Sequence, residues 1–283
     1  MRYSYYPGCS AHSTGLEYSL STEATLRQLD VELEEIEGWN CCGASSAHAL
    51  NHRLALTLPA RNLALAQKAG GDLLIPCAAC YNRLKGAELA LRSNSEARAE
   101  IEADVGFSFT GQVRIRPLLA ILHEDFGPQR VAAETRRPLS GLKVVPYYGC
   151  LLVRPPRVAQ FDDPDDPRLM ASLLRAAGAE VMPWSHATDC CGAGLSLPRS
   201  DAVYRLVGRL AERAREAGAE ALVTACPLCQ VNLEMRQPAT PRLPAFYFTE
   251  LLGLAFDLPE ARRWWPKHLI DPRPLLRSHN LAD

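Results

Sequence analysis

Apolar positions along the first half of the chain alternate between two spacings. Short apolar runs, typical of strands, are separated by stretches in which apolar residues recur every three to four positions, as on one face of a helix. The predicted strands are RYSYY (2–6), VELEEI (31–36) and DLLIP (72–76). The predicted helices are residues 15–29 and 53–70, the second of which contains Pro59 and ends at Gly70.

The second half repeats this order of elements. Its predicted strands are KVVPYY (143–148), AEVMPW (179–184) and EALVTA (220–225), and its predicted helices are residues 167–177 and 200–217. Strands that alternate with helices predict an α/β fold in which each half is a small parallel sheet with flanking helices. Because residues 128–142 are polar and contain Pro and Gly, we predict an N-terminal domain of residues 1–135 and a C-terminal domain of residues 136–283.

All ten cysteines belong to this pseudo-symmetric repeat. They are Cys9, Cys41, Cys42, Cys77 and Cys80 in the first half, and Cys150, Cys190, Cys191, Cys226 and Cys229 in the second. The last four of each set are 149 residues apart, whereas the first cysteines are 141 residues apart. The difference lies between Cys150 and Cys190, where the Pro- and Asp-rich segment 154–168 predicts a surface insertion.

The cysteines follow the predicted strands. In open α/β sheets, ligand sites lie beyond the carboxyl ends of the strands, at one edge of the sheet. The five cysteines of each half are therefore expected to converge in space, although they are far apart in sequence.

Composition and charge exclude several classes of function. A net charge of -1 over 283 residues gives no electrostatic reason to expect a nucleic-acid partner. Charged residues or proline interrupt every apolar stretch before it reaches the roughly 18 to 20 residues of a transmembrane segment. The start, MRYSYYPGCS, lacks the apolar region of a signal peptide. We therefore expect a cytoplasmic protein, whose cysteines serve as metal ligands or redox groups rather than disulfides.

Three interpretations of the cysteine sets differ in what the thiols bind. Buried free cysteines behave as small apolar residues, which does not account for a duplicated set of five. The Cys-x-x-Cys motifs have the spacing of structural zinc ligands, but zinc takes four ligands, so zinc in one half is the alternative. An iron-sulfur cluster presents several irons, which suits adjacent cysteines. Gly43 and Gly192, which follow the adjacent pairs, would then let the backbone approach the cluster.

These motifs resemble the duplicated CCG motif of the B subunit of heterodisulfide reductase (HdrB). The similarity covers nearly the whole chain, including the tail KHLIDPRPLL (267–276). The resemblance implies that the five cysteines of each half hold a non-cubane 4Fe-4S cluster. It also implies that a disulfide enters between the clusters and is cleaved with electrons from a ferredoxin-like subunit and a flavoprotein subunit. Thiol oxidation, the reverse reaction, is equally open, and the substrate is a small-molecule or carrier-bound disulfide or thiol.

Other functions of CCG proteins are alternatives to this reductase. One is a non-catalytic electron-relay or membrane-attachment role, as in the E subunit of succinate:quinone reductase, and another is a role in lactate or glycolate oxidation. Two complete cysteine sets favour the reductase, because a relay or anchor could lose one set. His12 and His186 are candidate proton donors, but neither is assigned a catalytic role. Trp264 and Trp265 fit either a partner interface or a cover over the C-terminal helix.

Overall fold

The computed structural model describes residues 1–44, 47–238 and 241–282. The strands of the first half are β1 (Arg2–Tyr5), β2 (Glu32–Glu35), β3 (Leu73–Ile75) and β4 (Ile115–Pro117). Those of the second half are β5 (Lys143–Tyr147), β6 (Glu180–Val181), β7 (Ala221–Thr224) and β8 (Ala245–Tyr247). They form two four-stranded sheets, in the orders β2-β1-β3-β4 and β6-β5-β7-β8. Every pairing is parallel.

Helices cover the two sheets. In the first half they are α1 (Leu16–Gln28), α2 (Ala47–Leu50), α3 (His52–Ala69), α4 (Ala78–Ser93), α5 (Ser95–Val105), α6 (Leu118–Ile121) and α7 (Gly127–Glu134). In the second half they are α8 (Pro156–Ala159), α9 (Leu169–Ala176), α10 (Ser200–Glu216), α11 (Pro227–Met235), α12 (Phe248–Ala255) and α13 (Arg273–Ser278). None of the helices in residues 1–44, 47–238 and 241–282 is both long enough and apolar enough to cross a membrane.

The predicted α/β fold of two repeats, each a parallel sheet with flanking helices, is confirmed. In the first half Leu73 pairs with Ile115, and in the second Leu222, which lies 149 residues after Leu73, pairs with Ala245. The middle strands are buried except for Arg2 and Lys143 at the starts of β1 and β5, as expected for parallel sheets that are covered on both faces. The division into residues 1–135 and 136–283 stays a prediction, and α7, placed in the first domain, packs against α9 of the second.

The structure differs from the predicted elements at the edges of the sheets. Strands β4 and β8 were not predicted, because each has three residues and continues into a helix without a turn signal. Strand β6 is shorter than the predicted strand 179–184. Helix α3 contains Pro59, as predicted, and begins after Asn51, whose side chain accepts a hydrogen bond from the Leu54 amide at 3.0 Å.

The eight-residue insertion does more than form a surface loop. Its short helix α8 packs against α4 of the first half, where the Tyr81 hydroxyl donates to the Ala159 carbonyl. The Asn82 side chain donates to the carbonyls of Leu151 and Arg154, both at 2.9 Å. The insertion therefore ties the two halves together.

Aromatic side chains join the C-terminal segment, residues 256–282, and helix α1 to the core. Trp264 and Trp265 are buried, with 1% and 3% of their surface exposed. They therefore belong to the hydrophobic core rather than to an exposed interface. Tyr18 of α1 stacks on Tyr247, with ring centroids 4.2 Å apart. The Ser21 and Thr249 hydroxyls of α1 and α12 lie 2.7 Å apart, so α1 packs directly against the second half.

Candidate functional site

In the first half the chain leaves three strands and brings the five cysteines to one edge of the sheet. Cys9 starts a short turn of 3-10 helix after β1, and Cys41 and Cys42 follow β2. Cys77 follows β3 and precedes α4, whose first turn contains Cys80. The Sγ atoms of Cys9 and Cys41 are 3.8 Å apart, and those of Cys42 and Cys80 are 3.3 Å apart. The predicted convergence is therefore present in this half.

The second half repeats the same pairing of thiols. The Sγ atoms of Cys191 and Cys229 are 3.5 Å apart, which matches the Cys42–Cys80 contact. A hydrogen bond with Cys190, together with burial, raises the thiol pKa of Cys150, so these two thiols pair as Cys9 and Cys41 do. All ten cysteines have free thiols.

The exposure of the thiols divides each set into an outer and an inner part. Cys9, Cys41 and Cys190 are exposed, and Cys150 is half-buried. The remaining cysteines are buried: Cys42, Cys77, Cys80, Cys191, Cys226 and Cys229. Whatever the thiols bind would therefore be reached from the side of Cys9, Cys41, Cys150 and Cys190.

Backbone amides point at the outer thiols. The Gly43 amide donates to Cys41 Sγ at 3.4 Å, and the Gly192 amide donates to Cys190 Sγ at 3.3 Å. Hydrogen bonds from neighbouring groups favour the charged form of a thiol. The pKa of Cys190 is accordingly lowered to about 6, chiefly by its hydrogen bond with Cys150 and also by the Gly192 amide.

The local contacts give a further reason for Gly43 and Gly192, while the approach of their backbone to a cluster stays a prediction. A Cβ atom on Gly43 would lie 2.9 Å from the Ala47 Cβ, and one on Gly192 would lie 3.0 Å from the Leu206 Cδ1. Their positive φ angles, 75° and 80°, also favour glycine at both positions. These glycines therefore allow a tight turn against a helix.

Two other glycines let the backbone approach the thiols. A Cβ atom on Gly8 would lie 3.0 Å from Cys80 Sγ, and one on Gly149 would lie 2.9 Å from Cys229 Sγ. Sequence reasoning missed this role, although the signal was present, since glycine directly precedes both Cys9 and Cys150.

The two cysteine sets meet at their buried ends. Interaction with Cys226 is the main cause that lowers the thiol pKa of Cys77 well below its usual value, and Cys80 adds to it. The Tyr18 hydroxyl donates to the Pro76 carbonyl at 3.1 Å and lies 3.4 Å from the Ala225 carbonyl. One tyrosine of α1 thus contacts the residues that precede both Cys-x-x-Cys motifs.

A cation lies near thiols of both halves. Arg83 stands three residues after Cys80 on α4, and burial lowers its pKa while the thiols of Cys42 and Cys150 oppose that shift. Its Nη1 is 2.6 Å from His48 Nδ1, and its buried Nε has no hydrogen-bond partner. The two candidate proton donors lie beside tryptophans: His12 stacks on Trp39, and the ring of His186 lies 6.1 Å from that of Trp184.

The donor set fits an iron-sulfur group in its chemistry. Each half offers five free thiols at one sheet edge, amides that donate to sulfur, and a glycine without which a side chain would press on a thiol. Within residues 1–44, 47–238 and 241–282, no group of three or more His, Cys, Asp or Glu side chains is arranged to hold a single metal ion.

Paired thiol sets on a duplicated parallel sheet define an α/β protein with a cysteine-rich ligand site. The chain belongs to the CCG family of cysteine-rich domains, which matches residues 3–85 and 144–234. The two matched segments contain all ten cysteines.

Two relatives of this chain are named as subunits of reductases. The 8-methylmenaquinol:fumarate reductase membrane anchor subunit of Wolinella succinogenes is 30% identical over 96% of this chain and 98% of its own length. The B subunit of the ferredoxin/F(420)H(2)-dependent CoB-CoM heterodisulfide reductase of Methanosarcina acetivorans is 27% identical over 89% of this chain and 88% of its own. The resemblance to the B subunit of heterodisulfide reductase is therefore confirmed.

A solved structure shares the fold. A hypothetical protein from Helicobacter pylori superposes with a TM-score of 0.73 at 12% identity, covering 95% of this chain. The present chain corresponds to 52% of that protein's chain. At this identity the likeness concerns the fold alone.

Proposed function

We propose that this chain is the iron-sulfur subunit of a heterodisulfide-reductase-like complex, which cleaves a disulfide reductively or runs the reverse thiol oxidation. The observation that carries the proposal is the position of the Tyr18 hydroxyl, which lies 3.1 Å from the Pro76 carbonyl and 3.4 Å from the Ala225 carbonyl and so brings the inner ends of two complete cysteine sets together. Each set would hold one non-cubane 4Fe-4S cluster. The residues are Cys9, Cys41, Cys42, Cys77 and Cys80 for one cluster, and Cys150, Cys190, Cys191, Cys226 and Cys229 for the other.

The closeness of the two cysteine sets matters because the reaction needs two electrons. Cleaving a disulfide to two thiols takes two electrons and two protons. Two bound clusters would supply two one-electron centres side by side. A substrate would approach the exposed thiols of Cys9, Cys41 and Cys190, since the other ends of the sets are buried.

Residues around the thiols would prepare the site for a charged cofactor. The amides of Gly43 and Gly192 donate to Cys41 and Cys190 and so stabilise their thiolates. Arg83 would offset negative charge from both halves, since the thiols of Cys42 and Cys150 both act on its guanidinium. These groups are fixed by the fold, so they need no rearrangement when the cofactor changes charge.

Electrons would come from other subunits. The relative from Methanosarcina mazei is named as the B subunit of a ferredoxin:CoB-CoM heterodisulfide reductase. We propose a ferredoxin-like subunit and a flavoprotein subunit as partners, in a cytoplasmic complex. The substrate would be a small-molecule or carrier-bound disulfide or thiol.

The test is anaerobic purification of the chain with its co-expressed partner subunits, followed by two assays: a reduced artificial electron donor with a panel of disulfides, and an oxidised artificial acceptor with the corresponding thiols. We expect about eight irons per chain, from two four-iron clusters, and disulfide-dependent oxidation of the donor. One zinc with about four irons, or iron without turnover of any disulfide or thiol, would contradict the proposal.

A second function is supported by the relative from Wolinella succinogenes, which is named as a membrane anchor subunit and matches 96% of this chain. In that function the cysteine sets would relay electrons, or the chain would attach an enzyme that acts on fumarate or succinate to the membrane. Identification of the co-purifying flavoprotein separates the two functions. A partner that reduces fumarate or oxidises succinate, with no disulfide activity, would favour the relay or anchor.

A further inference from the structure

A buried ionic cluster lies where the C-terminal segment packs on the second half. The side chain of His268 is fully buried, with Nδ1 2.8 Å from Glu234 Oε1 and Nε2 2.9 Å from Glu250 Oε1. Because both ring nitrogens face carboxylates, the imidazole carries both protons, and its pKa is raised to about 11 against the opposing effect of burial. His268 is therefore a fixed cation between two anions.

The two glutamates of this cluster also accept hydrogen bonds from other groups. Glu234 Oε2 accepts from the Leu269 amide at 2.7 Å, and Glu234 Oε1 lies 3.2 Å from the Gln230 Nε2. Glu250 Oε2 accepts from the Tyr247 amide at 2.9 Å. Two carboxylates and one imidazolium leave the cluster with one net negative charge.

Glu17 is the third carboxyl group in this region, and it differs from the other two. It lies in the first turn of α1, is 5% exposed, and lines a cavity of about 350 Å³ together with Gln230, Glu234 and Lys267. Burial raises the pKa of Glu17 to about 7, and the charges of Glu250 and Glu234 add to the shift while His268 opposes it. Glu17 thus changes its protonation near neutral pH and can exchange protons through the cavity.

Two stacked tyrosines connect this region to the cysteine sets. Tyr18, the residue after Glu17, stacks on Tyr247 and contacts the carbonyls before Cys77 and Cys226. The Tyr247 hydroxyl is buried without a hydrogen-bond partner. Burial is the main cause that raises the pKa of the Tyr247 hydroxyl, and the charges of Glu17 and Cys226 raise it further. Glu17 lies beside the C-terminal cysteine set, because the cavity that it lines is also lined by Gln230, the residue after Cys229 on α11. Charges interact strongly across such a buried and weakly screened region.

The N-terminal half has different residues at the corresponding positions. The repeat of 149 residues places Lys85 where the second half has Glu234, and Tyr81 where it has Gln230. The strand registers place Pro117 where the second half has Tyr247, and hence Ala120 where it has Glu250. The carboxylate cluster is therefore specific to the C-terminal cysteine set.

We propose that Glu17 is a proton site coupled to the redox state of the cofactor that the C-terminal cysteine set holds. The proposal rests on the proposed function and names one proton source for it. If one electron from the donor subunit enters the cofactor that this set would hold, the Glu17 carboxylate would take up one proton from water in the cavity and become the neutral acid. The added negative charge raises the affinity of Glu17 for the proton, and oxidation releases it.

The charged groups that face Glu17 set the pH range of this coupling. They are Glu234 on α11, Glu250 on α12, and His268 with Lys267 on the C-terminal segment. Below about pH 7 Glu17 is protonated in both redox states, so pH has no effect on the reduction potential. Above about pH 7, and up to the higher pKa of the reduced state, the potential falls as pH rises.

The test is a redox titration of the anaerobically purified complex at several pH values, in which electron paramagnetic resonance monitors the redox state of each cluster. We expect the C-terminal cluster to show a fall of about 59 mV per pH unit above neutrality, the value for one proton per electron. The variant E17Q, in which the side chain stays neutral, should remove this slope, whereas E17D should retain it. The N-terminal cluster should change far less.

The matched control is E88Q, because Glu88 is also a buried glutamate but is paired with Lys85 and Arg92 on α4. This variant should keep the slope of the wild type. A slope that persists in E17Q, or a potential of the wild-type C-terminal cluster that does not depend on pH, would overturn the proposal. The titration uses no disulfide, so it tests Glu17 independently of the proposed function. A complex that holds both clusters but turns over no disulfide would contradict the proposed function, and its pH titration would still show whether Glu17 is the proton site.

Discussion

The two halves of the chain place equivalent cysteines at equivalent strand ends, yet the polar groups around the thiols differ. Cys42 contacts Cys80 as Cys191 contacts Cys229, at 3.3 and 3.5 Å. An amide donates to the first cysteine of each adjacent pair. The residue three positions after the last cysteine of each Cys-x-x-Cys motif differs, however: it is Arg83 in the first half and Asn232 in the second.

This difference changes the charge beside the thiols. Arg83 brings a positive charge near Cys42, whereas the Asn232 side chain is neutral and lies 3.6 Å from Cys191 Sγ and 3.2 Å from the Cys191 carbonyl. The second half alone has the Glu234–His268–Glu250 cluster. The repeat thus keeps the contacts that hold the thiols and varies the charges around them, so we expect the two sets to differ in reduction potential and in proton coupling.

The largest expected effect comes from removing one thiol of either set. Cys42→Ser and Cys191→Ser should each reduce the iron content from about eight to about four and abolish disulfide turnover, because both one-electron centres are needed. Iron analysis and steady-state assays on the purified complex measure this. Activity near that of the wild type in either variant would show that the two halves are not both required.

The glycine that precedes each first cysteine offers a more selective test. Gly8→Ala should reduce iron bound by the first half, because the new Cβ would lie 3.0 Å from Cys80 Sγ. Gly70→Ala is the matched control, since Gly70 has nearly the same backbone angles (φ 79°, ψ 172°, against φ 75°, ψ 161° for Gly8) and no atom within 4 Å of its added Cβ. Both variants should lose roughly 1–3 kcal/mol of stability from backbone strain. Equal iron content in the two would refute the contact argument.

The carboxylate cluster of the second half should affect stability more than cofactor content. His268→Gln leaves Glu234 and Glu250 buried without their cation, at a cost of about 3–5 kcal/mol. In the wild type, the raised pKa of His268 means that its contribution is full below pH 6.5 and is lost as pH rises towards about 11. Denaturant unfolding at several pH values measures both effects. His279→Gln, which removes a more exposed pair with Glu220, should cost less than about 1 kcal/mol.

The smallest expected effect concerns Arg83. Arg83→Gln removes a half-buried positive charge, so the reduction potential of the N-terminal cluster should fall by on the order of 50 mV, with a smaller fall for the other cluster. Arg92→Gln on the same helix removes an arginine that is paired with Glu88, and it should leave both potentials nearly unchanged. A potential that does not respond to Arg83→Gln would mean that the guanidinium does not act on either cofactor.

The sequence was sufficient for the features that repeat. The constant spacing of Cys41, Cys42, Cys77 and Cys80 with their counterparts predicted two equivalent sheets, and the periodic apolar positions predicted the central strands and helices α1, α3, α9 and α10. The pairing of thiols could not be predicted, because it depends on how far the chain travels between a strand end and its cysteine. The insertion was predicted as a loop, but its contact with α4 depends on the packing of the two halves.

Residues outside the repeat were the hardest to predict. Glu17 and His268 have no counterparts in the other half and lie far apart in sequence, so no local pattern indicates that they share one buried region. Trp264 and Trp265 fitted an interface as well as a core until their burial was known. Gly8 and Gly149 had a visible signal, but it became meaningful only with the position of the Cys80 and Cys229 sulfurs.

The most direct test of the account is a crystal structure of the anaerobically purified protein, with anomalous diffraction recorded at the iron and zinc absorption edges. The account predicts about eight irons in two groups, one beside each cysteine set, whose nearest members are separated only by the region of Cys77 and Cys226. Iron beside one set alone, zinc in place of iron beside the other, or two iron groups separated by more of the protein than the region of Cys77 and Cys226 would contradict it.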